Sequence, residues 1–467
     1  MRQNTQQVCE LLPNTFLEAC RRNMPIRLSD RLRLRMSEPS VGMRLARGAF
    51  WSLISMVVVR FLGLAAAILV ARLVGKTGFG EFGTIQSSIF MFGTFSGLGL
   101  GVTATKYVAE LREKDAVRTG RIIALTGTLV WGTGLAVSCT LALLAPWLAI
   151  HVLASPHMAG MLQIAAIGLL AMTVNGAQIG VLTGLESFKT MAWVNCVSGV
   201  VSLPLMILLT WRLGVAGAMW GFAATQWLTW ALFHFGLRAE CKKHAIPFLL
   251  DRTVRQEIPI LWRYSIPAMI GGIIGGVATW AASAMLVNQP DGYAKMGAFT
   301  AANHWFTILL FLPGILGQVA LPMLSERVGQ DNLPQARKLL LTLVAINGGI
   351  VIPVAAIGAL LSRHILLLYG PTYSDHWPTL ALVFATVAIY SIQSTVWQLL
   401  TASGRMWTGL LMNLGWAIIF LGLTWLWIAQ GDLGLAAARL AAYAAHSVWT
   451  LWFAYWFLGR KQRDHCS

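Results

Sequence analysis

The chain has 467 residues, of which 57% are hydrophobic and only 11% are charged, and its mean hydropathy is +0.66. Soluble domains carry charge on roughly a quarter of their residues, so this composition excludes an ordinary soluble protein and predicts an all-α integral membrane protein. A net charge of +17 would indicate a nucleic-acid partner in a soluble protein. Membrane topology accounts for the charge here, and no nucleic acid is expected.

The N-terminal segment over 1–45 is polar and rich in arginine, with no apolar core near its start. That pattern excludes a cleavable signal peptide and predicts a basic tail on the cytoplasmic face of the membrane. Met36 and Met43 would each also give a short basic lead into the first apolar run. The start of translation therefore stays open between Met1, Met36 and Met43.

Apolar runs separated by polar, glycine-marked or proline-marked gaps predict twelve transmembrane helices, numbered here as spans 1 to 12. Each run is long enough to cross a hydrocarbon core of about 30 Å. The predicted spans are 49–74, 79–105, 121–145, 158–183, 190–211, 214–237, 264–287, 293–323, 338–361, 377–402, 406–429 and 433–458.

The positive charges are distributed unequally between the two ends of these spans. Of the 35 Lys and Arg residues, 28 lie on the side of the N-terminus and five on the opposite side, while Arg60 and Arg439 fall inside spans. Because cytoplasmic loops carry the excess of Lys and Arg, both termini are predicted to be cytoplasmic. The protein is then a multi-pass protein of the cytoplasmic (inner) membrane.

Three sequence matches indicate an internal repeat of six spans. Residues 78–83 match 292–297 at an offset of 214, Leu182 matches Leu400 at an offset of 218, and Leu213-Gly214 matches Leu433-Gly434 at an offset of 220. Since six is even, the two halves run parallel. The predicted organisation is an N-terminal lobe over 46–237, a cytoplasmic linker over 238–263, a C-terminal lobe over 264–459 and a cytoplasmic tail over 460–467.

Several short motifs carry a family resemblance. They are Arg60-Phe-Leu-Gly63, Ala71-Arg72-Leu-Val-Gly75, Gly78-Phe-Gly-Glu-Phe-Gly83, Leu368-Tyr369-Gly370-Pro371-Thr372-Tyr373 and Leu400-Thr-Ala-Ser-Gly-Arg405. From about residue 44 to 458 the chain resembles polysaccharide flippases of the multidrug/oligosaccharidyl-lipid/polysaccharide exporter superfamily, with O-antigen flippases the nearest in pattern. The resemblance implies two six-helix lobes around a central cavity and a cargo of isoprenoid-diphosphate-linked oligosaccharide.

The same resemblance implies a role in polysaccharide, O-antigen or exopolysaccharide biosynthesis, with membrane lipids and polysaccharide polymerase machinery as further partners. Lipid II flippases share the pattern of span 1, but they tend to carry a second arginine six residues after the one that matches Arg60. Ala66 stands at that position here. This departure disfavours a peptidoglycan precursor as cargo.

Arg60 lies near the middle of span 1. A charge at that depth costs about 2.5 to 3.5 kcal/mol on insertion scales, so something must offset it. A guanidinium in a water-filled cavity suits the phosphates of a lipid diphosphate. A structural arginine that is paired with backbone carbonyls is the alternative.

In span 12, Asp432, Arg439 and His446 recur every seven residues and therefore share one helix face. They could form a polar track facing Arg60 across the cavity. Alternatively, Arg439 pairs with Asp432 or extends to the membrane surface.

Two further side chains are predicted to contact substrate. His304 in span 8 is a candidate for sugar binding or proton sensing, against an ordinary hydrogen-bonded interior histidine. Lys106 at the inner end of span 2 is a candidate for phosphate capture at the cavity mouth, against simple extension to the interface. Amides inside the spans could bond glycan hydroxyls or join helices; they are Asn175, Gln178, Asn195, Gln226, Asn347, Gln393, Gln398 and Asn413.

The predicted spans contain no Asp or Glu at mid-membrane depth. Drug and cation antiporters of the superfamily typically couple transport through a buried carboxylate, so a flippase that uses the membrane potential is favoured over an antiporter. No P-loop occurs and the six cysteines have no metal-like spacing, so no cofactor or metal is expected. A glycan polymerase or ligase would need a large outer loop with clustered acids, and the protein is therefore predicted not to be an enzyme.

Overall fold

A computed structural model of the chain describes residues 41–247 and 258–464. Within those ranges the chain is helical with short turns, and they contain no strand. The α-helices are Val41–Ser96, Leu100–Leu111, Ala116–Trp147, Met158–Gly184, Phe188–Lys243, Ile258–Val287, Gly292–Leu309, Phe311–Gly329, Leu333–Leu360, Ser362–Leu367, Trp377–Ala402, Met406–Trp427 and Asp432–Asp464. Residues 1–40 of the predicted N-terminal tail (1–45), residues 248–257 of the predicted linker (238–263) and residues 465–467 of the predicted C-terminal tail (460–467) lie outside the described residues.

These helices confirm the predicted all-α class and its twelve spans. Two of the longest helices each contain two spans, because Gly75 (φ 70°) and Gly214 (φ 60°) break the helical conformation in their middle. Span 2 is broken again at 97–99, and span 8 is broken at Leu310. By length and composition, seven helical segments of the described chain are long and apolar enough to cross a membrane, and two of them contain the breaks at Gly75 and Gly214.

Successive turns alternate between the two ends of the bundle of spans. We call the end that carries the turns after odd-numbered spans the Gly75 face. The end that carries the turns after even-numbered spans is called the Arg405 face. Contacts between turns support this assignment, since Tyr293 Oη donates to the carbonyl of Leu153 on the Gly75 face at 2.7 Å.

Spans 2 and 8 cross with their backbones in direct contact at two glycines, Gly80 and Gly297. A Cβ added to Gly80 would lie 1.8 Å from the carbonyl oxygen of Tyr293, and one added to Gly297 would lie 2.0 Å from that of Lys76. Only glycine permits backbones to approach this closely. Gly80 and Gly297, and likewise Lys76 and Tyr293, are 217 residues apart, so the crossing is symmetric between the two halves.

The same offset of 217 relates two other turns. Gly214 has φ 60° and ψ −137°, and Gly431 has φ 71° and ψ −136°. Three residues later, a Cβ on Gly217 or on Gly434 would lie 1.9 Å from a carbonyl of the preceding helix. These conformations support the parallel repeat, but they correct two of its predicted registers. The offsets of 214 and 220 are each wrong by three residues, close to one helical turn.

The third match, at an offset of 218, agrees with the structure. Spans 4 and 6 are joined by Asn175, whose Nδ2 donates to Gln226 Oε1 at 3.1 Å. In the second half, spans 10 and 12 are joined by a hydrogen bond between Gln393 and His446. Gln393 stands 218 residues after Asn175, whereas His446 stands 220 after Gln226, so the two pairs occupy similar but not identical positions. The turns after spans 4 and 10 do keep the offset of 218, since Glu186 (φ 56°) corresponds to Gly404 (φ 68°), and Ser187 N donates to the carbonyl of Leu182 as Arg405 N does to that of Leu400. The exact boundaries of the two lobes stay a prediction.

Candidate functional site

A cavity of about 780 Å³ lies between spans 7, 8, 10, 11 and 12, and Phe90 of span 2 also contributes to its lining. Residues 390–398 of span 10 and the first turns of span 11 form much of its wall, so it lies toward the Arg405 face. Its polar side chains are Thr279, Gln393, Ser394, Gln398, Asn413 and His446, and six aromatic rings complete the wall. Among the lining residues that the structure describes there is no Lys, Arg, Asp or Glu.

Three lining side chains carry a buried polar atom that has no hydrogen-bond partner within the protein. They are Gln393 Oε1, Trp416 Nε1 and His446 Nε2. The three residues are 6%, 8% and 1% exposed. Gln393 and His446 share one hydrogen bond, and whichever of the two side chains donates, the pair is left with one unpaired donor and one unpaired acceptor. With the indole N–H of Trp416, the wall therefore holds one unpaired acceptor and two unpaired donors.

Arg439 lies one layer behind the aromatic wall of this cavity. Tyr390 and Tyr443 line the cavity, and Phe306 contacts both rings at centroid distances of 5.9 and 6.5 Å. The Arg439 guanidinium lies 4.1 Å above the Phe306 ring, and its Nη1 donates to Asn303 Oδ1 at 2.8 Å. Its positive charge is therefore held by an aromatic face and an amide rather than by a carboxylate.

The predicted polar track on span 12 is divided among three different partners. Asp432 accepts hydrogen bonds from Thr379 and from His376 Nδ1, the latter at 2.9 Å, near the Gly75 face. Arg439 bonds to span 8, and His446 bonds to span 10. His446 is the predicted site residue that lines the described cavity, and Arg439 does not pair with Asp432.

Arg60 is half-exposed, and no hydrogen bond or ion pair joins it to the described part of the chain. Two residues further on, Leu62 packs against Gly199 of span 5. Arg60 is not among the described residues that line the cavity. It is neither sealed in dry packing nor paired with backbone carbonyls, so its predicted contact with a lipid diphosphate stays a prediction.

The remaining two predicted site residues, His304 and Lys106, are not among the described residues that line the cavity. His304 stacks on Phe79 at a centroid distance of 5.9 Å, and its buried Nε2 has no partner. It belongs to the half of span 8 nearest the Gly75 face, away from the cavity. Lys106 is exposed near the Arg405 face, with its ammonium 5.0 Å from the ring of Tyr107. Their roles in substrate binding stay predictions.

Three of the resemblance motifs meet at the Gly75 face, in a set of contacts that we call the clasp. Arg72 Nε donates to the carbonyl of Leu368 at 2.7 Å, and Lys76 Nζ lies 3.1 Å from His376 Nε2. Tyr293 and Asn288 reach across in the opposite direction to the carbonyls of 153 and 152, each at 2.7 Å. The clasp joins the first six spans to the last six.

An aromatic cluster fills the space beneath the clasp. The Phe79 ring lies 6.0 Å from that of Tyr369 and 6.5 Å from that of Tyr373. Both tyrosines are only 1% exposed. They lie in the loop between spans 9 and 10, where burial raises the pKa of each hydroxyl well above its ordinary value. The cluster is therefore an uncharged plug at this end of the protein.

The fold resembles solved transporters over nearly the whole chain. An inward-facing multidrug resistance transporter of the superfamily superposes with a TM-score of 0.68 at 14% identity, covering 88% of this chain and 99% of that one. A transporter from Pyrococcus furiosus whose binding pocket has reversed polarity gives 0.66 at 14% identity, covering 89% and 96%. The chain therefore shares the fold of these transporters, and it is an all-α, multi-pass membrane protein.

A model of the family described as "Polysaccharide biosynthesis protein" matches residues 45–328, and the chain belongs to that family. The EPS I polysaccharide export inner membrane protein EpsE of Ralstonia nicotianae is 24% identical over 196 residues, which are 42% of this chain and 44% of that relative. The match thus spans less than half of that relative's length. Stage V sporulation protein B of Bacillus subtilis is 21% identical over 409 residues, covering 82% and 78%.

The sequence pointed to some of this site but not to its aromatic wall. Gln393, Gln398 and Asn413 were among the candidate amides, with no means of separating them from those that only join helices. Tyr443 could have been found, because it lies four residues after Arg439 and three before His446 on one helix face. The clasp between Lys76 and His376 joins residues 300 apart, and no local pattern indicates it.

Proposed function

We propose that the protein is a flippase that moves an isoprenoid-diphosphate-linked oligosaccharide from the inner to the outer leaflet of the cytoplasmic membrane for polysaccharide biosynthesis. The observation that carries this proposal is the cavity of amide, hydroxyl and aromatic side chains without a charged group among its described lining residues. Such a wall suits sugar hydroxyls and the apolar faces of sugar rings. The family membership and the polysaccharide-export relative point to the same cargo class.

The distribution of Lys and Arg residues gives the orientation of the protein in the membrane. By sequence, 28 of the 35 Lys and Arg residues belong to the two tails and to the segments that follow even-numbered spans, so we assign the Arg405 face to the cytoplasm, together with both termini. The cavity then lies toward the cytoplasm, and the clasp closes the opposite side. This is the state expected of a flippase that is ready to load cargo made in the cytoplasm, and alternating access would require the clasp to open.

The same geometry disfavours a drug or cation antiporter. Asp432 is the buried carboxylate in the described part of the chain, and it is bonded to His376 and Thr379 beside the clasp rather than exposed in the cavity. We propose that the membrane potential supplies the drive instead. Moving a negative charge outward across an inside-negative membrane is worth about 2.3 kcal/mol per charge per 100 mV.

The proposal is tested with purified protein in vesicles that contain a fluorescent isoprenoid diphosphate carrying a neutral disaccharide. Flipping across the bilayer should require the protein, and collapsing the potential at fixed pH should slow it. An unchanged rate after collapse rejects the proposed drive. No protein-dependent flipping of this lipid rejects the function itself.

The role of Arg60 is tested in the same assay. Since Arg60 has no partner in the described protein, Arg60→Gln should leave the folded protein stable yet slow flipping about tenfold or more, because a charged contact to the diphosphate is lost. Arg212→Gln, which removes an exposed arginine at the Gly75 face, is the matched control and should flip normally. Equal rates in the two variants would remove Arg60 from the mechanism.

A further inference from the structure

The unpaired polar atoms of the cavity point to a more specific ligand than a lipid-linked glycan in general. Leaving a buried donor or acceptor unsatisfied costs about 1–3 kcal/mol, and three of them occur in side chains of one wall: Gln393 Oε1, Trp416 Nε1 and His446 Nε2. Such groups are retained where a ligand supplies the missing partners. They form one acceptor and two donors.

A sugar hydroxyl can satisfy both kinds of group, because it donates one hydrogen bond and accepts others. A carboxylate or phosphate can only accept when ionised, so it would leave the acceptor of the Gln393–His446 pair without a donor and bring two acceptors together. The wall also lacks, among its described residues, any cation that would offset the desolvation of an anion. Hydroxyl-bearing, uncharged sugars match the wall, whereas acidic sugars do not.

The surrounding surface has room for such a ligand and suits its shape. The cavity of about 780 Å³ falls within the roughly 300–1,000 Å³ of typical small-molecule sites. Trp397 and Trp407 line the cavity with aromatic surface against which the C–H face of a sugar ring can pack. Ser394 and Asn413 add further hydroxyl and amide groups.

We propose that this cavity, in the second half of the chain, is a subsite for the uncharged sugars of the cargo, separate from the place where the diphosphate is held. The proposal rests on the flippase function proposed above and deepens it. The diphosphate stays outside the subsite, where cations such as Arg60 can reach it. The subsite therefore selects the glycan by its lack of charge and leaves the lipid carrier to other residues.

The test uses the full-length protein in nanodiscs and three probes: an isoprenoid diphosphate with a neutral disaccharide, the same lipid with one hexose replaced by a hexuronic acid, and the lipid diphosphate without sugar. The neutral probe should bind at least about tenfold more tightly than either of the others. Equal or tighter binding of the uronic acid probe overturns the proposal. Because this comparison uses the wild-type chain, it does not depend on any variant folding.

A pair of matched variants locates the site. Trp416→Phe keeps an aromatic ring but removes the unpaired N–H, and it should weaken binding of the neutral probe about threefold to tenfold. Trp449→Phe removes an equally unpaired buried N–H from a ring that packs on His446 but does not line the described cavity. It should bind normally. Equal effects of the two substitutions, at equal thermal stability, overturn the assignment.

Binding and flipping separate this proposal from the flippase function. If the wild-type protein binds the neutral probe selectively but does not move it across vesicles, the flippase function fails and the subsite stands. If it moves all three probes at the same rate with the same affinity, the function stands and the subsite fails. Each result bears on one proposal alone.

Discussion

Arg439 illustrates how this protein keeps a buried charge without a carboxylate. The residue is only 6% exposed and lies within two turns of the start of span 12. A charge at the centre of a span costs about 2.5 to 3.5 kcal/mol on insertion scales, which is an upper bound for this position. Its guanidinium lies over the Phe306 ring at 4.1 Å and donates to Asn303 at 2.8 Å, while Nε and Nη2 have no partner among the described residues. A desolvated cation–π contact is worth about 2 kcal/mol and a charge-assisted hydrogen bond about 1.5–3 kcal/mol, and together they are of the size of that cost.

This arrangement predicts coupling between Arg439 and Asn303. In a double-mutant cycle of Arg439→Met and Asn303→Leu, the free energies of unfolding in mixed detergent should be non-additive by about 1–2 kcal/mol, because either change alone removes the shared hydrogen bond. Arg212→Met combined with Asn303→Leu is the control and should be additive. Additivity in both cycles would mean that the observed bond contributes nothing to stability.

At the scale of elements, the crossing of spans 2 and 8 depends on two glycines. A Cβ on Gly80 would lie 1.8 Å from a carbonyl oxygen of span 8, which requires the helices to separate. Gly80→Ala should therefore destabilise the protein by about 1–3 kcal/mol or more, measured as a lower melting temperature in detergent. At Gly422, where an added Cβ meets no atom within 4 Å, the same substitution should be neutral or slightly stabilising.

The contact between the ends of spans 5 and 6 predicts a pH dependence. Glu240 lies beyond the predicted end of span 6; burial raises its pKa, but the hydrogen bond from Thr190 and the charge of Lys243 more than offset this and leave the pKa below its ordinary 4.5. Because the folded pKa is depressed, the stabilisation is present above the unfolded value and is lost as pH falls through the folded value.

Thr190→Val should accordingly lower stability by about 1 kcal/mol at pH 7, and the difference from wild type should shrink as the pH falls below 4.5. Thermal unfolding at a series of pH values measures this. Thr342→Val is the matched control, since its hydroxyl bonds only to the carbonyl of Lys338 in its own helix. A deficit that persists unchanged at low pH would contradict the role of Glu240.

The spans were predictable from sequence, but the register of the repeat was not. Apolar runs define where a helix crosses the membrane, and all twelve were found. The matches at offsets of 214 and 220 were each displaced by three residues from the structural offset of 217. A shift of three residues keeps nearly the same helix face, so hydrophobic pattern alone cannot detect it. The positive φ of Gly214 and Gly431, visible only in the structure, fixes the register.

At the scale of the whole molecule, the clasp and the cavity lie at opposite ends. The clasp joins the two halves at the Gly75 face through Arg72, Lys76, Asn288 and Tyr293. Three of the five motifs that indicated the family from sequence lie at this face, through Arg72, Phe79 and Leu368, and none of the five contributes to the described lining of the cavity. The residues of the cavity had to be located by tertiary contacts between distant spans.

If alternating access is the mechanism, holding the clasp closed should stop transport. In a chain whose six cysteines have been replaced, Lys76→Cys with His376→Cys should be joined by a short bis-methanethiosulfonate, which displaces two sulfinates and links the cysteines through reducible disulfides, because Lys76 Nζ and His376 Nε2 lie 3.1 Å apart. Flipping of lipid-linked glycan in vesicles should fall to background after cross-linking and return after reduction, since the clasp must open to release cargo.

A second cross-link separates this effect from simple damage. Arg112 and Glu186 form an ion pair of 2.6 Å between two turns of the first six spans at the Arg405 face, so joining cysteines there does not connect the two halves. The protein with this second cross-link should still transport, because the cross-link joins two turns within the first six spans and does not hold the two halves together. Transport at the wild-type rate with the clasp cross-linked would mean that cargo leaves without separation of the halves at the Gly75 face.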